Sequence, residues 1–521
     1  MNYSALKKVR VIFSLAFFIS IIILFLDLSF SLPQNFSDYP LYLQFIPSFL
    51  KFLSVGTLAA AGFIFVIILT LLFGRVYCSS VCPLGVLQDV ITFLRKKFKK
   101  LKFDYTQPFT KTRYMILGIV IILFLAGSAF GLNLLDPYSN FGRILTNIFH
   151  PILIGLNNSV AYLFESFNLY WFQPVEFRGI NWFPLLFSLS VLVLIIWMSY
   201  KYGRLYCNTI CPVGTLLGFI SKFSFFKIAI SEPNCKGCGV CEKVCKANCI
   251  DTENSHIDFE RCVSCYNCFT VCPTAGIEYS FRYSHKKKIK PMIDIEKRDF
   301  VVKSAIFFIG ANTVLRAQKK IEVYKDSTVP VIRESAVSPP GSISTDNFTD
   351  KCTACHLCVA ACPTHVIQPS FLEYGLLGIM QPRMDYIKGF CNYDCFVCGE
   401  VCPSSAILPQ QVEQKKLIQL GKATFVKDNC IVYSQGTDCG ACAEHCPTKA
   451  VRMVLDSDPN VMRKAPKIDE EICVGCGACE YACPTKPYKS IYVKSNPIHL
   501  IAKKPKEEKL EQPDLEEEFP F

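Results

Sequence analysis

Apolar residues along this chain bunch rather than alternate. Four runs, Val11–Leu26, Phe52–Phe73, Tyr114–Leu135 and Trp182–Tyr200, carry no charged residue at all. A bilayer core is crossed by about 20 such residues in a helix, so the pattern predicts four spanning helices. Buried helices of a soluble core are rarely so long and so free of charge. No small-residue cleavage site follows the first run, so it is expected to anchor the chain rather than to be removed. A fifth run, Phe300–Leu315, is shorter and contains Lys303 and Asn312. Beyond it the chain turns to short polar stretches punctuated by cysteine, glycine and proline.

Charge adds an orientation. Lys7, Lys8 and Arg10 precede the first run, "RKKFKKLK" (95–102) separates the second from the third, and Lys201 and Arg204 follow the fourth. Residues 28–51 hold one lysine and residues 136–181 two arginines. The positive-inside rule places the N-terminus, the 74–113 loop and the chain after Tyr200 in the cytoplasm. The net charge of +12 is thereby accounted for beside membrane segments, and nucleic acid is not expected as a partner. Asp136, Arg143 and His150 then fall on the outer side. If Phe300–Leu315 crosses, as its basic approach "HKKKIK" (285–290) favours, everything after it lies outside, although Arg316, Lys319 and Lys320 count against crossing.

The spans end alike. "FGRVYCSSVCPLG" (73–85) and "YGRLYCNTICPVG" (202–214) repeat one pattern at the cytoplasmic mouths of the second and fourth. Each gives cysteines at i and i+4, Cys78 with Cys82 and Cys207 with Cys211, which share a helical face. The following prolines suit the first turn of new, interface-lying amphipathic helices. Arg75 and Arg204 are expected to reach lipid phosphates. Packed as a pseudo-twofold pair, the two hairpins would bring four soft ligands together for an additional thiolate-bound metal or iron–sulfur centre; separate packed thiols are the plainer alternative. A disulfide is not expected on the reducing side.

Most of the 29 cysteines do something more specific. Cys235, Cys238, Cys241, Cys245 and Cys262, Cys265, Cys268, Cys272 both have the C-x2-C-x2-C-x3-C spacing of two-cluster ferredoxins. Three thiolates hold three corners of a cube and the last cysteine of the other run holds the fourth. One cluster is expected on Cys235, Cys238, Cys241 and Cys272, the other on Cys262, Cys265, Cys268 and Cys245. Zinc sites are built from separated pairs. Cys249 is a ninth thiol nearby. Four further runs are Cys352, Cys355, Cys358, Cys362; Cys391, Cys395, Cys398, Cys402; Cys430, Cys439, Cys442, Cys446; and Cys473, Cys476, Cys479, Cys483, each ending in Cys-Pro. They supply four more cubanes, six [4Fe-4S] clusters in all. Spacing leaves open whether the runs pair in order or nest. "CTACH" (352–356) also matches a haem attachment pattern, but covalent haem would consume two of the cubane's thiols.

The expected architecture is an α-helical membrane bundle of four to five spans with two α+β bacterial ferredoxin-like [4Fe-4S] modules. The divisions are a membrane domain 1–225, a two-cluster domain 231–281, an apolar segment and linker 282–347, a four-cluster domain 348–497, and a charged, disordered tail 498–521. Domain 231–281 would be cytoplasmic and 348–497 extracytoplasmic.

The hairpins followed by a two-cluster module resemble the NapH-type membrane polyferredoxins, and the NosR-type proteins share the arrangement. The second half is similar to the NapG/MauM-type exported four-cluster ferredoxins, from the twin-arginine-like "KRDF" through "SPPGS" to "CPTHVIQPS" and "GFCNYDCFVCGEVCP". The resemblance implies a fusion of two proteins that work together, located in the cytoplasmic membrane. It implies electron transfer between the quinol pool, or a cytoplasmic donor, and a redox partner such as a periplasmic reductase. Quinol would then be a substrate and membrane lipids the surroundings. Other expectations are a maturation factor supplying electrons or metal to a partner's centre, and a redox sensor. No nucleotide loop or nucleophile–base set is present to suggest other catalysis.

Overall fold

The structure is a computed structural model that describes residues 3–28, 36–57, 60–98, 103–177, 179–231, 233–281, 324–325, 332–333, 336–456 and 463–505. The twin-arginine-like motif, the Phe300–Leu315 segment and residues 506–521 lie outside the described residues.

Two described helices are long and apolar enough to cross a membrane: α1 (Tyr3–Leu26), through its Ala5–Leu26 part, and a second at Trp182–Tyr202. The other two expected spans are not single helices. Phe52–Phe73 is divided between α2 (Phe45–Val55) and α3 (Gly62–Phe73), because Gly56 takes φ 69° and ends α2. Gly62 lets α3 start against backbone: a Cβ there would stand 1.8 Å from the Tyr42 carbonyl oxygen. Tyr114–Leu135 is divided at Gly127 (φ 79°) between α6 (Thr110–Leu125) and α7 (Phe130–Leu135). At about 1.5 Å per residue, α3 and α6 reach ~18 and ~24 Å, short of the ~30 Å core.

Around these lie the two motif copies. Short α4 (Val76–Ser80) leads into α5 (Pro83–Phe98). After α7, Asp136 caps α8 (Pro137–Ile144) by accepting from the Ser139 N–H at 2.8 Å. A π-helical turn, Leu145–Phe149, joins α8 to α9 (His150–Glu165). The Trp182–Tyr202 helix is α10, followed by α11 (Leu205–Thr209) and α12 (Pro212–Ser221). Gly74 (φ 80°) and Gly203 (φ 72°) end α3 and α10, which is why each copy opens with glycine.

The first ferredoxin module follows, closed by β1 (Phe226–Ile230) pairing antiparallel with β2 (Ile277–Phe281). One continuous core runs from this module through the helices to Cys355, Leu357 and Ala360 of the second. The second module begins earlier than its cysteines suggest. Ala336 and Val337 are buried in its core, and Ser338 bonds His499 at 2.9 Å. The "SPPGS" stretch is therefore a packed turn, not a linker: Gly341 (φ 87°) leaves no room for a Cβ against the Leu408 carbonyl. Its longest ladder joins β3 (Ile418–Phe425) to β4 (Ile491–Ile501), so ordered strand continues past residue 497.

Candidate metal centres

Cys78 lies in α4 and Cys207 in α11, while Cys82 and Cys211 sit just before Pro83 and Pro212, the first residues of α5 and α12. The pair in each copy is thus a helical turn plus a cap, rather than one helical face. All four cysteines are buried and stand within electrostatic range of one another.

The copies are cross-braced. The Arg75 guanidinium donates to the Cys207 carbonyl at 3.1 Å, and Arg204 donates to the Cys78 carbonyl at 2.6 Å. Neither arginine reaches lipid; they are 0% and 1% exposed. The sequence expectation fails because a position at the end of an apolar run says nothing of which side the arginine faces. Gly85 and Gly214 make the crossing possible. A Cβ on Gly85 would be 2.7 Å from Arg204 Nη1, and on Gly214 2.9 Å from Arg75 Nη2. Six of the seven residues shared by the two copies thus have a place: glycine ends the span, arginine crosses, two cysteines converge, proline starts a helix, glycine clears the crossing.

The two arginines differ in one respect. Arg204 is paired with Asp89 at 2.9 Å, and Asp89 also meets Arg10 and Lys246. Burial would raise the Asp89 carboxyl, but Arg204, Lys246 and Arg10 together hold it well below the usual range. Arg75 donates to Asn208 Oδ1, the Glu260 carbonyl and the Cys207 carbonyl, and lies 3.8 Å from Cys78 Sγ. No carboxylate is among these partners.

In the first module Cys262, Cys265, Cys268 and Cys245 line one cavity, with Cys249 3.5 Å from Cys245. Cys241 interacts with Cys235 and Cys272, and Cys238 lies exposed at the far edge. In the second module Cys352, Cys355 and Cys358 group with Cys402, and Cys391, Cys395 and Cys398 with Cys362. Cys430, Cys439, Cys442 and Cys483 line a further cavity. Cys473, Cys476 and Cys479 group with Cys446. The runs therefore pair in order, first with second and third with fourth.

These groups suit a cubane. Burial pushes the Cys241 thiol up to about 11 and Cys355, Cys442 and Cys476 up to about 12, so thiolates there need a bound cation. Among the described residues, no three His, Cys, Asp or Glu side chains converge at single-ion spacing. Around zinc, Zn–S bonds of about 2.3 Å would bring the sulfurs to roughly 3.8 Å from one another.

One set of contacts escaped the sequence reading. Thr274, Thr364, Ser404, Thr448 and Thr485 each place a hydroxyl 3.1–3.9 Å from the sulfur two residues before. The signal was available: five of the six runs end Cys-Pro-Thr or Cys-Pro-Ser. Such donors stabilise thiolate sulfur and tune cluster potential.

His356 is more than a loop residue. At φ 64° it starts the short helix carrying Cys358, and its ring lies 2.7 Å from the Met380 carbonyl and 3.1 Å from Asn147 Nδ2. It pins the second module to the π-helical turn. Arg143 and His150 are also buried at this end, on α8 and α9, and Asp136 is buried at the cap between α7 and α8.

Comparison with known proteins agrees with the donor chemistry. A 4Fe-4S binding domain matches residues 55–100 and again 184–231, and 4Fe-4S dicluster domains match 258–366 and 435–486. The chain is 26% identical over 246 residues to the ferredoxin-type protein NapH of Escherichia coli, covering 45% of this chain and 71% of that one. It is 31% identical over 145 residues to the ferredoxin-type protein NapG of the same organism, 26% of this chain and 61% of that one. It is 27% identical over 192 residues to the methylamine utilization ferredoxin-type protein MauN of Methylobacillus flagellatus, 37% and 53% respectively. This is an iron–sulfur electron-transfer protein. In this iron–sulfur protein the dicluster match at 258–366 joins one run from each module, whereas the structure packs Cys262–Cys268 against Cys245 and Cys352–Cys358 against Cys402.

Proposed function

We propose that the protein is a multi-pass relay of the cytoplasmic membrane, passing electrons between the quinol pool or a cytoplasmic donor and an extracytoplasmic redox enzyme. The observation that carries this reading is that its cysteine groups form one file. Cys235–Cys272 leads to Cys262–Cys245. Lys246, next in the chain, accepts from the Arg204 N–H at 2.8 Å, and the Arg204 side chain lies 4.0 Å from Cys207 Sγ. Beyond the four buried cysteines, Tyr206 Oη meets Asn140 at 3.3 Å, and Asn140 accepts from Arg143 at 2.8 Å. Arg143 interacts with Cys352 and Cys355. Cys391 N–H donates to the Cys476 carbonyl at 2.9 Å, linking the second pair of runs to the first.

The file follows α1 from end to end. Lys7 donates to Thr270 of the first module, while Phe25 packs at Gly142, beside the Cys355 carbonyl. The 24 residues of α1 span about 36 Å, enough to cross the bilayer core. On this reading the modules stand on opposite sides, six clusters occupy the ferredoxin cysteines, and a further metal–thiolate centre sits on Cys78, Cys82, Cys207 and Cys211. Arg75 supports that centre. A buried guanidinium without a carboxylate is costly, and an anionic cluster would neutralise it. A factor that hands metal to a partner would need reachable thiols, and these four are 3–4% exposed; burial favours the relay.

The test is electron flow across a sealed membrane. Protein reconstituted in liposomes with ferricyanide trapped inside is supplied with reduced ferredoxin outside. Wild type should bleach the trapped dye, and Cys207→Ser with Cys211→Ser should slow bleaching about tenfold or more while the ferredoxin clusters remain. Equal rates would remove these thiols from the path.

A further inference from the structure

Five of the six cysteine runs close on one local design. The last cysteine is followed by proline and then by Thr274, Thr364, Ser404, Thr448 or Thr485, whose hydroxyl lies against that cysteine's sulfur. The run ending at Cys245 departs from it. Lys246 stands in place of proline, and buried Ala247 in place of the hydroxyl residue. Cys245 still has a contact of the same kind. The Cys249 Sγ lies 3.5 Å from the Cys245 Sγ, buried in the cavity that Cys262, Cys265 and Cys268 also line.

The backbone explains how this contact arises. Three residues after the last cysteine, Asn248, Ala275, His365, Ser405 and Lys449 all take φ of 51–55°. The Asn248 N–H returns to the Cys245 carbonyl at 3.1 Å, as that of His365 does to Cys362 and that of Lys449 to Cys446. A left-handed residue at this point reverses the chain, and the residue after it comes back beside the sulfur. The Gly276 N–H shows the place, donating to the Cys272 Sγ at 3.2 Å. In the other turns that residue is Val366, Ala406 or Ala450, none with a polar side chain; in the first it is Cys249. The donor has moved from the second to the fourth residue of an unchanged turn. The vacated positions dock the module instead: the Lys246 and Ala247 carbonyls accept from the Arg204 N–H at 2.8 Å and from Asn208 Nδ2 at 3.2 Å.

We infer that Cys249 is a positioning residue of the cluster on Cys262, Cys265, Cys268 and Cys245, its S–H donating to the Cys245 sulfur in the role that hydroxyls fill in the other five runs. A donor to thiolate sulfur favours the reduced, more negative cluster and so raises its potential. An S–H is a weak donor, so Cys245 receives less of this support than the five hydroxyl-bonded sulfurs. The inference rests on the cluster assigned to these cysteines in the relay reading and holds whatever supplies or takes its electrons.

The test is a redox titration followed by EPR on the full chain, purified anaerobically in detergent. Cys265→Ala marks the cluster by removing its midpoint. Cys249→Ala should lower that midpoint, making reduction about fivefold less favourable, as loss of one hydrogen bond does. Cys249→Ser should raise it above wild type. Iron and sulfide should be unchanged in both, and the other midpoints should not move. Infrared difference between wild type and Cys249→Ala should show one S–H stretch displaced to low frequency by its bond to sulfur. Equal midpoints in wild type, alanine and serine variants, or shifts of one sign in both variants, would overturn the role, because packing alone does not order the three by donor strength. Loss of about four irons in Cys249→Ala would overturn it too, by making Cys249 a ligand. If no wild-type midpoint answers to Cys265→Ala, the relay's cluster assignment falls together with the inference.

Discussion

Arg75→Met has a sign that depends on what the four buried cysteines hold. Methionine keeps much of the volume of the stem and removes the charge. If Cys78, Cys82, Cys207 and Cys211 are neutral thiols, the guanidinium is an uncompensated buried cation, and replacing it with an apolar chain should be neutral or stabilising. If they hold an anionic metal–thiolate group, the substitution removes its counter-charge. Arg75 Nη2 lies 3.8 Å from Cys78 Sγ. At an effective dielectric of about 20, a unit pair at that distance is worth roughly 4 kcal/mol. For a domain of this size, ~4 kcal/mol corresponds to a fall in melting temperature of about 8–16 °C. The assay is anaerobic thermal unfolding followed by charge-transfer absorbance, with iron counted before heating. A lower melting temperature, with loss of only the iron not held by the ferredoxin cysteines, is expected. Melting at or above wild type with unchanged iron would refute the anionic centre.

Other consequences follow from the same contacts. Asp89→Asn strips the carboxylate shared by Arg10, Arg204 and Lys246 and should cost about 3–5 kcal/mol by thermal melting, whereas Asp38→Asn, in a surface pair 4.0 Å from Lys51, should cost at most about 1 kcal/mol. Lys415 donates to the carbonyls of Asn392 and Tyr393, beside Cys391. Lys415→Met should lower the potential of the cluster on Cys391, Cys395, Cys398 and Cys362 by on the order of 100 mV, read by redox-titrated EPR; an unchanged potential would discard the role. Burial holds His499 down at about 4, against an ordinary value of about 6.5. Its neutral form is the folded form, so the unfolded chain binds the extra proton. Stability is full above about 6.5 and falls toward pH 4 by roughly 3 kcal/mol, a loss that His499→Gln should remove from pH-dependent melts.

The cysteine spacing was sufficient to read the ferredoxin runs, because three thiolates of a cube come from one short loop and local spacing dictates them. The two motif copies were equally plain. Pairing among the last four runs was not legible, since the fourth ligand comes from a distant run and only packing brings Cys402 to Cys352 and Cys483 to Cys430. The helices divided the same way. Apolar content marked α1 and α10, but Gly56 and Gly127 split the other two runs through left-handed turns that a count of apolar residues does not register. Arg75 and Arg204 show the limit most clearly: sequence fixes their charge, and only the crossing of two hairpins decides that they face cysteine rather than lipid. A cleft lined by His150 and His365 is wholly tertiary, because its two walls, within residues 146–181 and 359–369, are distant in the chain and meet only where the second module docks.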